Sequence, residues 1–349
     1  MGGRGRIGAM TAAVLLGLAL PLAAERPPAV VRAIGAISLG EPESFEGLTV
    51  IPLLGRPSPE SGRFATLEQA LERGWLEIVE KDGGSVPEVW VTNRSDRTVF
   101  ILGGEILSGA RQDRIVRRDV LVAPRCRKLA VPVYCVEEGR WHPVSGSFGS
   151  EKNLGTYKLR ARAQKAGPEG QSQVWAEVAR ANDQAGVRSA TGAYQEAYRD
   201  EKVERRVQEL ERRLAGLPRR HPLAVGAIVG VGDAIVSLDL FTDPWLFQEL
   251  WPKILKSLAL ADRGGAHRVT RRQASELLAL LAGGDYRPLE AVGLGSGFAL
   301  ADERWDANAL ILDGTLAHLA AFPWQPEAAG GDLESLDRTG PALQRTYRE

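Results

Sequence analysis

Between residues 76 and 136 the chain is cut into short apolar runs, each closed by turn-forming residues, and this punctuation constrains the fold more than any other feature. Runs of four to eight residues rich in Val, Ile, Thr and aromatics, bounded by Gly, Asp, Asn or Ser, read as strands. They are expected at 76–80 and 86–92, joined by the turn signal DGG, and at 98–102, 114–122 and 129–136, with turns at 95–97 and 123–127. Together they predict an antiparallel meander in the N-terminal half.

The flanks add helices. Residues 27–59, rich in Pro and Gly, read as one early strand, LTVIPLL, among loops. ATLEQALERG predicts a helix capped by Thr66, with Leu67, Ala70 and Leu71 on one face and Gly74 as its stop. Residues 149–170 are polar and glycine-punctuated, which predicts a mobile loop. Helices follow at 174–184 and 194–214. In the second, Val203, Val207, Leu210 and Leu214 form a narrow stripe, expected to pack on its own domain rather than in a coiled coil. The second half opens with two strands around GVGD, then a helix from Asp243 with Pro244 at its first position, and another at 271–282. Strands at 287–293, 298–301, 307–312 and 316–322 complete the pattern. Strands and helices do not alternate strictly, so the expected class is α+β: mainly an antiparallel meander in the N-terminal half, strands plus helices in the C-terminal half. One domain is expected over 25–326, with a possible sub-boundary near 149–170 and a flexible tail at 327–349.

Residues 1–24 read as a signal peptide: Arg4 and Arg6, an apolar stretch from 12 to 20, then Ala23 and Ala24 before Glu25. The stretch is shorter than a bilayer span and broken by Pro21. The expectation is a periplasmic or secreted protein with no membrane span after cleavage. The full chain balances 44 basic against 44 acidic side chains, so losing Arg4 and Arg6 leaves acids in excess by two. Nucleic acid is therefore a disfavoured partner. Cys126 and Cys135 invite a disulfide in an oxidising compartment. An extended nine-residue separation approaches about 30 Å, against roughly 4.4–6.8 Å between bridged Cα atoms. Two free thiols are expected, with a turn near Arg127 as the route to a bridge.

Familiar chemistries are missing from the sequence. His142, His221, His267 and His318 lack metal-ligand spacing, so no metal is expected. GLGSG at Gly293 and GVG at Gly230 lack the setting of a dinucleotide site and read as hairpin turns, so no cofactor is implied. There is no Walker lysine motif and no nucleophile elbow.

Two neighbouring strings remain, GEILSGARQDR at 104–114 and VPVYCVEEGRW at 131–141. As adjacent strands they would gather Glu105, Gln112, Arg114, Cys135, Glu137, Arg140 and Trp141 around a cleft. Glu105 there is a general base or a carboxylate that fixes Arg114 or Arg140, and Glu137 is the other candidate general base. Cys135 is a nucleophile or an apolar filler. Gln112 bonds a ligand or turn backbone, and Trp141 stacks on a planar ligand or lids the sheet. Asp239 interrupts a core strand and is either part of a site or the cap of the helix near Pro244.

The stretch GGEILSGARQDRIVRRDVLVAPRCRKLAVPVYCVEEGRW resembles the core motif of the bacterial ARG and rhodanese-phosphatase-superfamily-associated proteins, ARG standing for ADP-ribosylglycohydrolase. GAIVGVGDAIVSLDLFTDPWLFQELWPKILKSLALAD and TLEQALERGWLEIVE extend the resemblance over most of 48–262. It implies an association with ADP-ribose and phosphate chemistry and assigns no activity. Three readings stand: a binding or accessory module for a small anion or peptide, a hydrolase of an ADP-ribose-like or phosphate-bearing substrate, and a structural envelope protein that pairs through 194–214. The oligomeric state is left open.

Overall fold

A computed structural model describes residues 25–324, apart from 57–61, 82–84, 166–169 and 263. The expected signal segment, the DGG turn and the tail at 327–349 lie outside the described residues. The protein is α+β, with antiparallel sheets and strands dominating the N-terminal half.

The N-terminal region holds more than one strand. Pro28 at the first turn and the apolar face of Ala29, Val30 and Ile34 form helix α1 (Pro28–Gly35), which the Pro-rich composition had masked. Two short strands follow, β1 (Ser38–Leu39) and β2 (Glu43–Phe45), and both pair with β3 (Leu48–Leu54), the expected LTVIPLL. Six of its seven residues are buried, because both faces of its sheet are covered.

Next come β4 (Phe64–Thr66), α2 (Leu67–Glu72), β5 (Leu76–Lys81), β6 (Ser85–Asn93), β7 (Thr98–Ile101), β8 (Glu105–Gly109), β9 (Arg114–Val116), β10 (Val120–Val122), β11 (Leu129–Cys135) and β12 (Phe148–Leu154). Thr66 caps α2 in a reciprocal capping box with Gln69. The expected meander divides. β12, β8, β9, β11, β6 and β5 form a six-stranded antiparallel sheet, whereas β10, β7 and β4 belong to a second, four-stranded one. Residues 114–122, expected as one strand, break at 117–119. There the Asp119 carboxylate takes the Gly103 N–H at 2.8 Å, turning the chain from one sheet into the other.

Residues 149–170 are not the expected loop. They contain most of β12 and the helix α3 (Tyr157–Gln164), capped by Thr156. The polarity misled because Arg160 and Arg162 are buried rather than solvated. After α4 (Gly170–Ala185) and a 3-10 turn at Tyr194–Arg199 comes α5 (Glu201–Leu214), whose stripe residues Val203, Leu210 and Leu214 are buried in the chain's own core.

The short α6 (Leu217–Arg220) leads to the hairpin β13 (Ala224–Val231) and β14 (Ala234–Phe241), turned at GVGD as expected. Asp243 caps α7 (Pro244–Ser257), accepting the Trp245 N–H. Then follow α8 (Arg271–Gly283), β15 (Tyr286–Leu289), β16 (Val292–Gly293), β17 (Ser296–Leu300), β18 (Trp305–Leu312) and β19 (Thr315–Pro323). GLGSG is not a hairpin turn: β16 pairs parallel with β10 while β17 joins the largest sheet, so the glycines carry the chain between sheets.

Among the described residues the largest sheet has nine strands, in the order β1, β3, β13, β14, β19, β18, β17 and β15, with β2 also on β3. Helices α1 and α8 cover one face through Val30, Ile34, Ala274, Leu277 and Leu281. Against the other lies α7, with Phe247, Leu250, Trp251 and Ile254 buried and the Trp251 indole donating to Leu214 O at 2.9 Å. A separate apolar cluster lies among the smaller sheets, around Val91, Val99, Val116 and Val131.

Candidate functional site

The string GGEILSGARQDR spans the exit from β7, all of β8 and the turn into β9. Its glycines are there because other parts of the chain crowd the backbone. Gly104 has φ +100°, and a Cβ on it would lie 2.4 Å from Arg160 Cγ. Three networks of buried charge radiate from this string.

In the first, Arg114 stands opposite Cys135 in the β9–β11 register. Gln112, Arg114, Glu137 and Arg140 do meet, joined by two residues the sequence did not single out, Asp113 and Glu80. Arg140 Nε donates to Glu137 Oε2 at 2.8 Å, its Nη2 reaches Asp113 Oδ1 at 3.1 Å, and its Nη1 donates to Ala110 O at 2.8 Å. Thr191 Oγ1 donates to the other Glu137 oxygen. Burial disfavours the Arg140 charge, but Glu137 and Asp113 outweigh it and raise its pKa. Arg114, 0 % exposed, donates through Nη1 to Gln112 Oε1 at 3.1 Å and stands 3.6 Å from Glu80. Its Nε and Nη2, like Glu80 Oε2, are buried without a hydrogen-bond partner. Burial pushes the Cys135 thiol up to about 11, with only partial relief from Arg114. Burial thus favours the neutral thiol at ordinary pH. Trp141 stays outside this network, 52 % exposed at the head of the exposed run 141–147.

Glu105 goes elsewhere. It meets neither Arg114 nor Arg140; its Oε1 accepts from Lys253 Nζ of α7 at 2.9 Å, and Lys253 also pairs with Glu68 of α2 at 2.5 Å. Burial pushes the Glu105 carboxyl up to about 8; Lys253 pulls it down in part and Glu68 pushes it further up. One lysine between two carboxylates favours one proton on the pair, and Glu105, the deeper, holds it. Glu68 is lowered, since Lys253 and Ser150 overcome its burial.

The third network resolves Asp239. It does not cap α7, the role Asp243 fills. Arg160 grips it two-pronged at 3.0 and 2.6 Å, and His318 Nε2 lies 3.2 Å from the same carboxylate. The other His318 nitrogen, Nδ1, lies 2.7 Å from Asp119. Asp119 accepts from Gly103 N, and Arg160 Nε donates to Gly103 O at 3.1 Å. The hydrogen bonds thus close a ring on one residue, Gly103. Burial opposes the His318 charge, yet Asp119 and Asp239 raise its pKa to about 9, while Arg160 and His318 hold Asp239 well below the usual carboxylate range despite burial. The His318 ring stacks on Phe241 with centroids 4.1 Å apart. Lys253 and His318 were legible in principle: like Asp239, each interrupts an apolar run, WPKILKSLAL and TLAHLAAF.

Both cysteines are free, Cys135 buried and Cys126 partly exposed. Among the described residues no group of three or more His, Cys, Asp or Glu is arranged to hold a metal ion, and no helix is long and apolar enough to cross a membrane.

Fold and site together describe an α+β chain organised by buried ion pairs around GGEILSGARQDR. Residues 36–322 match the model of the ARG and Rhodanese-Phosphatase-superfamily-associated Protein domain, and the chain belongs to that family. The match extends the 48–262 resemblance through α8 to β19. No curated protein and no solved structure matches the chain.

Proposed function

We propose that the protein is an exported binding or accessory module, periplasmic or secreted, that holds a small anion or peptide without turning it over. One observation carries this reading: each candidate catalytic group is closed off, Glu105 on Lys253, Glu137 on Arg140, and Cys135 as a neutral thiol. A general base must reach the proton it removes, and Glu105 and Glu137 are both buried. The envelope reading draws nothing from α5, whose apolar stripe is spent on its own core.

A thermal-shift screen of the mature chain against nucleotides, ADP-ribose, phosphates, sugars and cell-wall fragments tests the proposal, since a ligand that binds only the folded state raises its stability. The expected result is a hit recovered chemically unchanged. Product release that Glu105→Gln or Glu137→Gln abolishes, with circular dichroism unaltered, overturns it in favour of the hydrolase. For export, N-terminal sequencing of the recovered protein is expected to begin at Glu25; a retained Met1 refutes that part.

A further inference from the structure

Arg117 and Arg118 differ from the arginines around them. Arg114, Arg140 and Arg160 each face a carboxylate within 4 Å. Among the described residues neither Arg117 nor Arg118 makes an ion pair or a side-chain hydrogen bond. Arg117 lies over the Tyr134 ring at 4.8 Å, and its Nε is buried without a partner. Arg118 is half-buried, and its burial together with the neighbouring Arg117 charge lowers its pKa. Arg117 has thus lost a hydrogen bond that nothing replaces, whereas Arg118 turns to the cavity beside it.

Arg118 also lines a cavity of about 30 Å³, shared with Asp119, Glu290, Asn308 and the apolar Leu289 and Val292. The enclosed volume corresponds to about two water molecules, room for a carboxylate group, and the cavity opens to solvent on one side, where a short organic part can lie along its rim. Local charge narrows the choice. Asp119, His318, Asp239 and Arg160 sum to zero when His318 is protonated, which leaves Arg117 and Arg118 opposed only by the exposed Glu290. The surplus is a single positive charge, matched to a carboxylate better than to a phosphate dianion.

We infer that the cavity beside Arg118 is a binding site for a small organic acid, its carboxylate on the Arg118 guanidinium and its short aliphatic part against Leu289 and Val292. Asn308, in the same wall, offers an amide donor. The inference rests on the binding reading and deepens it, placing the ligand at the end of β9 away from Arg114 and Arg140.

The test titrates the mature chain with propionate, propionamide and inorganic phosphate at neutral pH and constant ionic strength, read by melting temperature and isothermal titration. Saturable propionate binding is expected, weakened about tenfold or more by Arg118→Gln and weakened also by Asn308→Ala, a milder change that guards against misfolding. Propionamide should not bind. Arg272→Gln, on the exposed face of α8, should leave binding unchanged. Propionate binding undiminished in both cavity variants overturns the site while leaving the binding reading in place. Phosphate binding more tightly than propionate overturns the carboxylate assignment. No binding of any probe to the unaltered chain overturns the site, and the wider ligand screen then decides the binding reading separately.

Discussion

Glu105 is fully buried on β8 and is held by a lysine from α7. Its position within an apolar stretch marked it, but Lys253 lies 148 positions away and nothing local announces it. The same holds for Arg160, hidden in a polar segment, and for Asp239, whose partners come from α3 and β19. By contrast, Gln112, Arg114, Glu137 and Arg140 meet because adjacent strands carry them, and strand adjacency was legible. The raised Glu105 carboxyl gives a signed prediction. The native state keeps a proton that the unfolded chain releases near 4.5, so this group's contribution is complete below pH 4.5, falls as pH rises, and is gone above about 8. Glu105→Gln, a neutral isostere able to accept from Lys253, should remove that loss. Chemical denaturation at pH 5 and pH 9 should show the variant gaining on the parent by an amount on the order of a few kcal/mol at the higher pH. An identical pH dependence in both proteins would place the proton elsewhere.

At the scale of elements, short apolar runs located most strands and α8, and capping signals located α2 and α7. What they did not reveal was membership: β7 and β10 look like their neighbours in sequence yet lie in a different sheet from β8, β9 and β11. Sheet membership is decided by long-range pairing, here by β16 arriving alongside β10 and by the Asp119 side chain replacing a ladder bond at the break. The joint between β7 and β8 is a tight one. Gly104→Ala there meets both a positive φ and the Arg160 side chain, and should cost about 2–4 kcal/mol. The denaturant midpoint should fall with its slope unchanged; a midpoint within experimental error of the parent would mean that Arg160 is free to move aside.

At the scale of the molecule, the largest sheet joins the two ends of the described chain, with β3 beside β13 and β19 between β14 and β18. β19 is a central strand and supplies His318 to the ring. A chain ending before Thr315 should therefore lose the cooperative thermal transition, as followed by circular dichroism, whereas one ending after Trp324 should keep it; a sharp transition in the shorter chain would show that the remaining strands suffice. The ring on Gly103 has a further consequence for biogenesis. Its members lie at 103, 119, 160, 239 and 318, so a nascent chain holds Arg160 without its carboxylate until residue 239 has been made and Asp119 without its imidazole until residue 318 has. The ring therefore cannot close until its last member, carried by β19, has been made.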